Sequence, residues 1–159
     1  MDIKKTANSF ANFTIKRIAE IFGLTVFCAG ALLLLALITY SPEDPNFIFP
    51  ENTKIDNILG FQGSFVSDVF FQSIGLVSYF FSFTLIITGI NIIRSKEFFL
   101  IIENIFFAII YSLLGTLFFA HFYSEAFTLY INGNGGFIGA YLNQSFLNSI
   151  ILINEVIFY

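Results

Sequence analysis

Ile21 to Tyr40 is an uninterrupted run of twenty residues with no charge, carrying Leu32-Leu33-Leu34-Leu35 at its centre. As an α-helix rising about 1.5 Å per residue, it reaches about 30 Å, the thickness of a bilayer's hydrocarbon core. The run is too long for the apolar part of a cleaved signal peptide, and no Ala-x-Ala site lies beyond it. The next residues are Ser41-Pro42-Glu43-Asp44-Pro45, where two prolines stop the helix. Tyr40 stands where an amphipathic ring favours the membrane interface.

Two further runs repeat the pattern. Phe70 to Ile93 is uncharged, and Phe98 to Phe119 is apolar apart from Glu103 and Asn104 near its start. The short connection Arg94-Ser95-Lys96-Glu97 makes these two an antiparallel hairpin. With 57% of its residues hydrophobic and 11% charged, the chain has too few polar groups to cover a soluble surface. The expected fold is therefore an all-α integral membrane bundle of three to four transmembrane helices, preceded by an N-terminal segment over residues 1–20. Phe137 to Tyr159 is ambiguous. On a helix, Gln144, Asn148 and Glu155 share one face, Asn143 and Asn154 flank it, and Phe146, Ile150 and Ile153 lie opposite. Such a segment either lies in the membrane surface or spans with its polar stripe turned inward. The abrupt stop at Tyr159 points to a truncated chain.

Orientation comes from the basic residues. Lys4, Lys5, Lys16 and Arg17 precede the first span and Arg94 and Lys96 occupy the hairpin turn, whereas the first connection carries Lys54 among five acids. The positive-inside rule then places the N-terminus and the Arg94 turn in the cytoplasm and the loop from Ser41 to Asp68 outside. A net charge of −4 argues against direct nucleic-acid binding.

Candidate chemistry is sparse. His121 and Glu125 are four residues apart, but a metal site or proton relay needs further partners; an interfacial polar residue is the plainer reading. Glu103 lies close enough to the helix start to reach the interface or to pair with Arg94 or Lys96. Gly133-Asn134-Gly135-Gly136-Phe137-Ile138-Gly139 lacks both the dinucleotide fingerprint and the phosphate-loop ending. It reads instead as a tight turn whose glycines take positive φ and allow close backbone approach. Adjacent Glu43 and Asp44 are expected to be solvated in an exposed loop. Cys28, the lone cysteine, reads as a small packed hydrophobe. No nucleophilic constellation is evident and no cofactor is implied.

The order of these segments resembles the N-terminal four-helix membrane domain of FtsK/SpoIIIE-type DNA translocases. The carriers are Ser41, Pro42, Asp44, Pro45 and Phe47 after span one; Asn57, Gly60, Gly63 and Asp68 before span two; and Gly133, Gly135, Gly136 and Gly139 beyond span three. The resemblance covers about Phe22 to Leu147. It implies a bacterial inner-membrane anchor at the division septum that contacts other division proteins and oligomerises with a hexameric motor. The ATP-driven motor itself is not among these residues, since no Walker motif occurs. In the family an amphipathic stretch comes after the glycines and the fourth span after that; Phe137 to Leu147 would match the amphipathic stretch. The alternative is a small transporter or channel subunit, suggested by Glu103, the Gln144/Asn148/Glu155 stripe and the glycine-rich break. An enzyme acting on lipid or peptide finds no support in the sequence.

Overall fold

The structure, a computed structural model, describes residues 3–45, 54–123 and 132–147. It contains α1 (Ile3–Ile38), α2 (Gly60–Ile74), α3 (Val77–Ser95), α4 (Leu100–Phe122) and α5 (Gly136–Leu142), and after α5 a π-helical turn at Asn143–Leu147. Among the described residues there is no strand. The fold is an all-helical membrane bundle in which α1, α3 and α4 are long and apolar enough to cross a membrane. Helix is the form these segments must take, because in hydrocarbon each backbone N–H and C=O has to find its partner within the segment.

The uncharged run from Phe70 to Ile93 is divided between two helices. Gly75 sits between α2 and α3 with φ +59°, in the left-handed region open chiefly to glycine. The Asn134 carbonyl lies where its Cβ would be. The membrane-length helix therefore begins at Val77, and Phe70 to Ile74 belong to α2. Hydropathy alone does not mark the break, because one glycine inside an apolar helix is tolerated.

Helices α1 and α3 run antiparallel. Lys96 Nζ meets Glu20 at 2.6 Å at one end, and the Tyr79 hydroxyl donates to the Leu37 carbonyl at 3.2 Å at the other. Between these points the backbones touch. A Cβ on Gly89 would stand 2.5 Å from the Phe27 nitrogen, and one on Gly30 would stand 2.8 Å from the Ile86 nitrogen. Lipid tails are as apolar as leucine, so helices associate in a membrane through close packing, which small residues permit. Helix α4 folds back along α3, joined by Thr84–Tyr111 at 2.8 Å and by Asn104 Nδ2 donating to Thr88 Oγ1 at 2.9 Å. The turn between them is capped by Lys96 in the left-handed region at φ 62°.

Both ends of α2 lie at the Leu37–Tyr79 end of the bundle, so α2 crosses that end instead of threading through it. Its Phe71 is fully buried with Leu33 and Leu37 and packs its ring between those of Tyr40 and Tyr79. Helix α5 sits at the same end, against α2 and α4.

Candidate functional site

The last carbonyls of any helix lack intrahelical donors, and leaving them bare at a membrane costs several kcal/mol each, roughly. At the end of α1, Leu35 O and Leu37 O still accept the N–H groups of Thr39 and Tyr40, and side chains add to these bonds or supply the missing one. Leu35 O accepts the Thr39 hydroxyl at 2.8 Å, Ala36 O accepts Asn57 Nδ2 at 2.9 Å, and Leu37 O accepts the Tyr79 hydroxyl. The same Asn57 amide also donates to Thr39 O at 3.2 Å, and its Oδ1 accepts the Leu59 N–H at 3.1 Å just before α2 begins. One buried asparagine thus closes α1 and opens α2.

Asn57 is held in turn by Asp44, whose carboxylate accepts the backbone N–H of Asp56 at 2.8 Å and of Asn57 at 2.9 Å. Asp44 is 2% exposed, so the expectation that it is solvated beside Glu43 is wrong. Two charge-assisted bonds to backbone amides offset its removal from water. Glu43 is exposed. Gly63 has no side chain because the Asn57 Oδ1 occupies that space. Gly60 takes φ +66° to turn the chain into α2. Ser64 Oγ donates to Pro45 O at 2.9 Å, and the Tyr40 hydroxyl donates to Asp68 Oδ1 at 3.1 Å. Ser41 contributes its carbonyl to the Asp44 N–H. Pro42 is exposed, and Phe47 lies outside the described residues. The two motif stretches of the first connection, separate in sequence, thus form one polar clasp.

The glycine cluster builds a second junction beside it. Gly133 and Gly136 take φ 71° and 63°. Asn134, 1% exposed, accepts the Leu76 N–H on its carbonyl at 2.9 Å and donates Nδ2 to Tyr123 O at 2.6 Å. Gly135 and Gly139 leave room for the Thr116 carbonyl of α4, and a Cβ on Gly136 would stand 2.6 Å from the Ser73 carbonyl. The loop therefore plugs the α2–α3 break and holds α4 against it by backbone contact, with no phosphate cradle.

The remaining candidates do not converge. His121 Nδ1 lies 3.2 Å from Asn143 Oδ1, and Glu125 lies outside the described residues. Glu103 is exposed in the first turn of α4. It does not pair with Lys96, which reaches α1 instead: Glu20 bridges Lys96 and Arg17, each at 2.6 Å. Of the polar stripe, Asn148 and Glu155 fall outside the described residues, as does most of the ambiguous segment from Phe137 to Tyr159. Among the described residues no His, Cys, Asp and Glu side chains cluster as a metal site. Cys28 is exposed on the bundle's flank.

Sequence reasoning missed several structural participants. Gly23 packs against Gly89 O at the α1–α3 crossing. Its spacing of one heptad from Gly30 was the available signal. Thr39, Tyr79 and Thr116 complete the two junctions, and no local pattern marks them.

A family model describing the 4TM region of DNA translocase FtsK/SpoIIIE matches residues 15–156. DNA translocase FtsK of Caulobacter vibrioides is 35% identical over 79 residues, which is 50% of this chain and 10% of that protein. DNA translocase FtsK of Rhizobium meliloti is 31% identical over 78 residues, 49% of this chain and 9% of that protein. The matched stretch is thus about a tenth of each relative's length. No solved structure matches the chain. With the family match running from the middle of α1 to beyond the glycine junction, this chain belongs to the 4TM-region family of the FtsK/SpoIIIE DNA translocases.

Proposed function

We propose that this chain is the membrane anchor and interaction domain of an FtsK-like translocase of cell division and chromosome segregation. The observation that carries the reading is the clasp. Asp44 and Asn57 tie the end of α1 to the start of α2, within a region matched by the family. A cross-braced, partly polar end suits recognition of other proteins, because groups already held in place lose little ordering entropy when a partner docks.

In this reading the anchor sits in the bacterial inner membrane and gathers at the septum. The basic end, with Arg17, Arg94 and Lys96, faces the cytoplasm by the positive-inside rule. The clasp end faces outward and offers its surface to other division proteins. Copies associate as a homo-oligomer, a hexamer by analogy with the family's motor. The segment itself catalyses nothing and binds no nucleic acid directly; pumping belongs to the motor. The transporter alternative loses its main support with Glu103 at an exposed helix start, away from any midplane site.

The test is a fluorescent fusion of the chain in a host with intact division machinery. Enrichment at midcell is the expected result. A uniform membrane signal without midcell enrichment would count against the reading.

A further inference from the structure

Helix α1 is much longer than its partners. Its 36 residues reach about 54 Å at about 1.5 Å per residue, against about 30 Å of hydrocarbon. Its contact with α3 and the hairpin turn ends where Glu20 meets Lys96. Ala19 beside Glu20 is fully buried, whereas residues 8–18 are exposed and project past the bundle at the basic end.

This projecting part is two-faced. Phe10, Ala11, Thr14 and Ile18 fall on one side of the helix with Phe13 and Ile15 at its edges, and Asn8, Ser9, Asn12 and Lys16 on the other. Phe10 is 72% exposed, and Ile18 and Ile21 are 52% and 67% exposed. Arg17 lies over the Phe13 ring at 5.0 Å and pairs with Glu20. From Ile3 to Ala19 the sequence has Lys4, Lys5, Lys16 and Arg17 and no acid. An apolar stripe backed by lysine beside a membrane-crossing segment needs cover, and charge selects what covers it. A second copy of the helix would bring like charges together, whereas an anionic lipid surface offers acyl chains to the stripe and phosphates to the lysines.

We propose that residues 3–19 of α1 form a lipid-reading arm that engages the anionic headgroup layer on the basic side of the bilayer. Tilted from the axis of the span toward the surface, the arm brings Phe10 and Ile18 to the headgroup–acyl boundary, and Lys16 engages lipid phosphates. The arm sets how α1 meets the membrane plane. Through the Arg17–Glu20–Lys96 chain of ion pairs it also fixes the α3–α4 turn, so lipid composition is felt at the connection between the two spans. The proposal depends on membrane insertion but on no role in division.

The experiment places an environment-sensitive fluorophore on Phe10→Cys in a Cys28→Ala background, with the whole chain in lipid nanodiscs. One set contains phosphatidylcholine alone, and the other also contains phosphatidylglycerol. The expected result is blue-shifted emission with phosphatidylglycerol and red-shifted, water-exposed emission without it. High salt should abolish the difference. The triple variant Lys4→Gln, Lys5→Gln, Lys16→Gln should abolish it too, because each charge strengthens surface association roughly fivefold. All three positions precede Glu20, where contact with α3 ends, so the variant keeps its fold; unchanged emission from a second fluorophore placed near Leu114 verifies this. Identical emission in both lipids overturns the proposal. So does emission that shifts with the number of chains per disc, which would assign the stripe to a second copy.

Discussion

The side-chain amide of Asn57 donates 2.9 Å to the carbonyl of Ala36, twenty-one residues earlier in the chain. That bond caps a membrane helix with a residue from the next connection. It explains why an asparagine stands there: Nδ2 serves Ala36 and Thr39 while Oδ1 serves Leu59. Asn57→Ala strands the buried Ala36 carbonyl and the half-buried Thr39 carbonyl and Leu59 N–H, at about 1–3 kcal/mol for each group left unsatisfied. Partial rehydration lowers the expected total to about 2–4 kcal/mol. Asn57→Asp should be at least as damaging, because it removes both donors and sets a carboxylate against two carbonyls. Thermal unfolding in mild detergent checks both; an Asp variant as stable as the native chain would contradict the donor role.

Gly60 and Gly63 separate two reasons for a glycine. Gly60 has open space around its Cβ position but a φ of +66°, so Gly60→Ala should cost about 1 kcal/mol of backbone strain. Gly63 has helical φ, but Asn57 Oδ1 occupies its side-chain space. Gly63→Ala should therefore cost more, about 2–3 kcal/mol, by breaking the clasp. A double-mutant cycle tells the two apart. In an Asn57→Ala background the Gly63 penalty should shrink to the part owed to Leu59 Cβ, which stands 2.5 Å from the same position, while the Gly60 penalty stays.

At the α1–α3 crossing, a Cβ on Gly89 meets the Phe27 backbone at 2.5 Å, which cannot rotate away. Gly89→Ala should force the helices apart and destabilise the bundle by about 1–3 kcal/mol. Gly115 faces only the Val77 side chain, at 3.0 Å. Gly115→Ala should cost less than about 1 kcal/mol, since a methyl rotor can yield and alanine favours the helix. Equal effects at the two positions in unfolding curves would argue against backbone contact between α1 and α3.

Much of this architecture is legible in the sequence, for definite reasons. The length and lack of charge in Ile21 to Tyr40 leave few options in a chain this apolar, and Pro42 with Pro45 fixes where α1 stops. The clasp is visible as an ordered set of Ser, Pro, Asp, Asn and Gly residues, but not as a contact. Asp44 reads as a surface acid because its partners are backbone amides twelve and thirteen residues away. The division of Phe70 to Ile93 is hidden because the Leu76 N–H at the break bonds to the Asn134 carbonyl, nearly sixty residues on. Lys96 looks like a partner for Glu103 by proximity in sequence. The hairpin geometry turns it toward Glu20 instead.

A specific division anchor and a mere hydrophobic tether respond differently when one set of apolar helices is exchanged for another. The most direct measurement replaces the membrane region of an FtsK translocase with this chain and scores division and midcell recruitment in cells lacking the native protein. The hybrid should restore both, Asn57→Asp in the hybrid should lose midcell recruitment, and an unrelated three-span anchor on the same motor should fail. Equal rescue by the unrelated anchor would contradict a specific anchor role, because then the clasp would contribute nothing that any set of apolar helices could not.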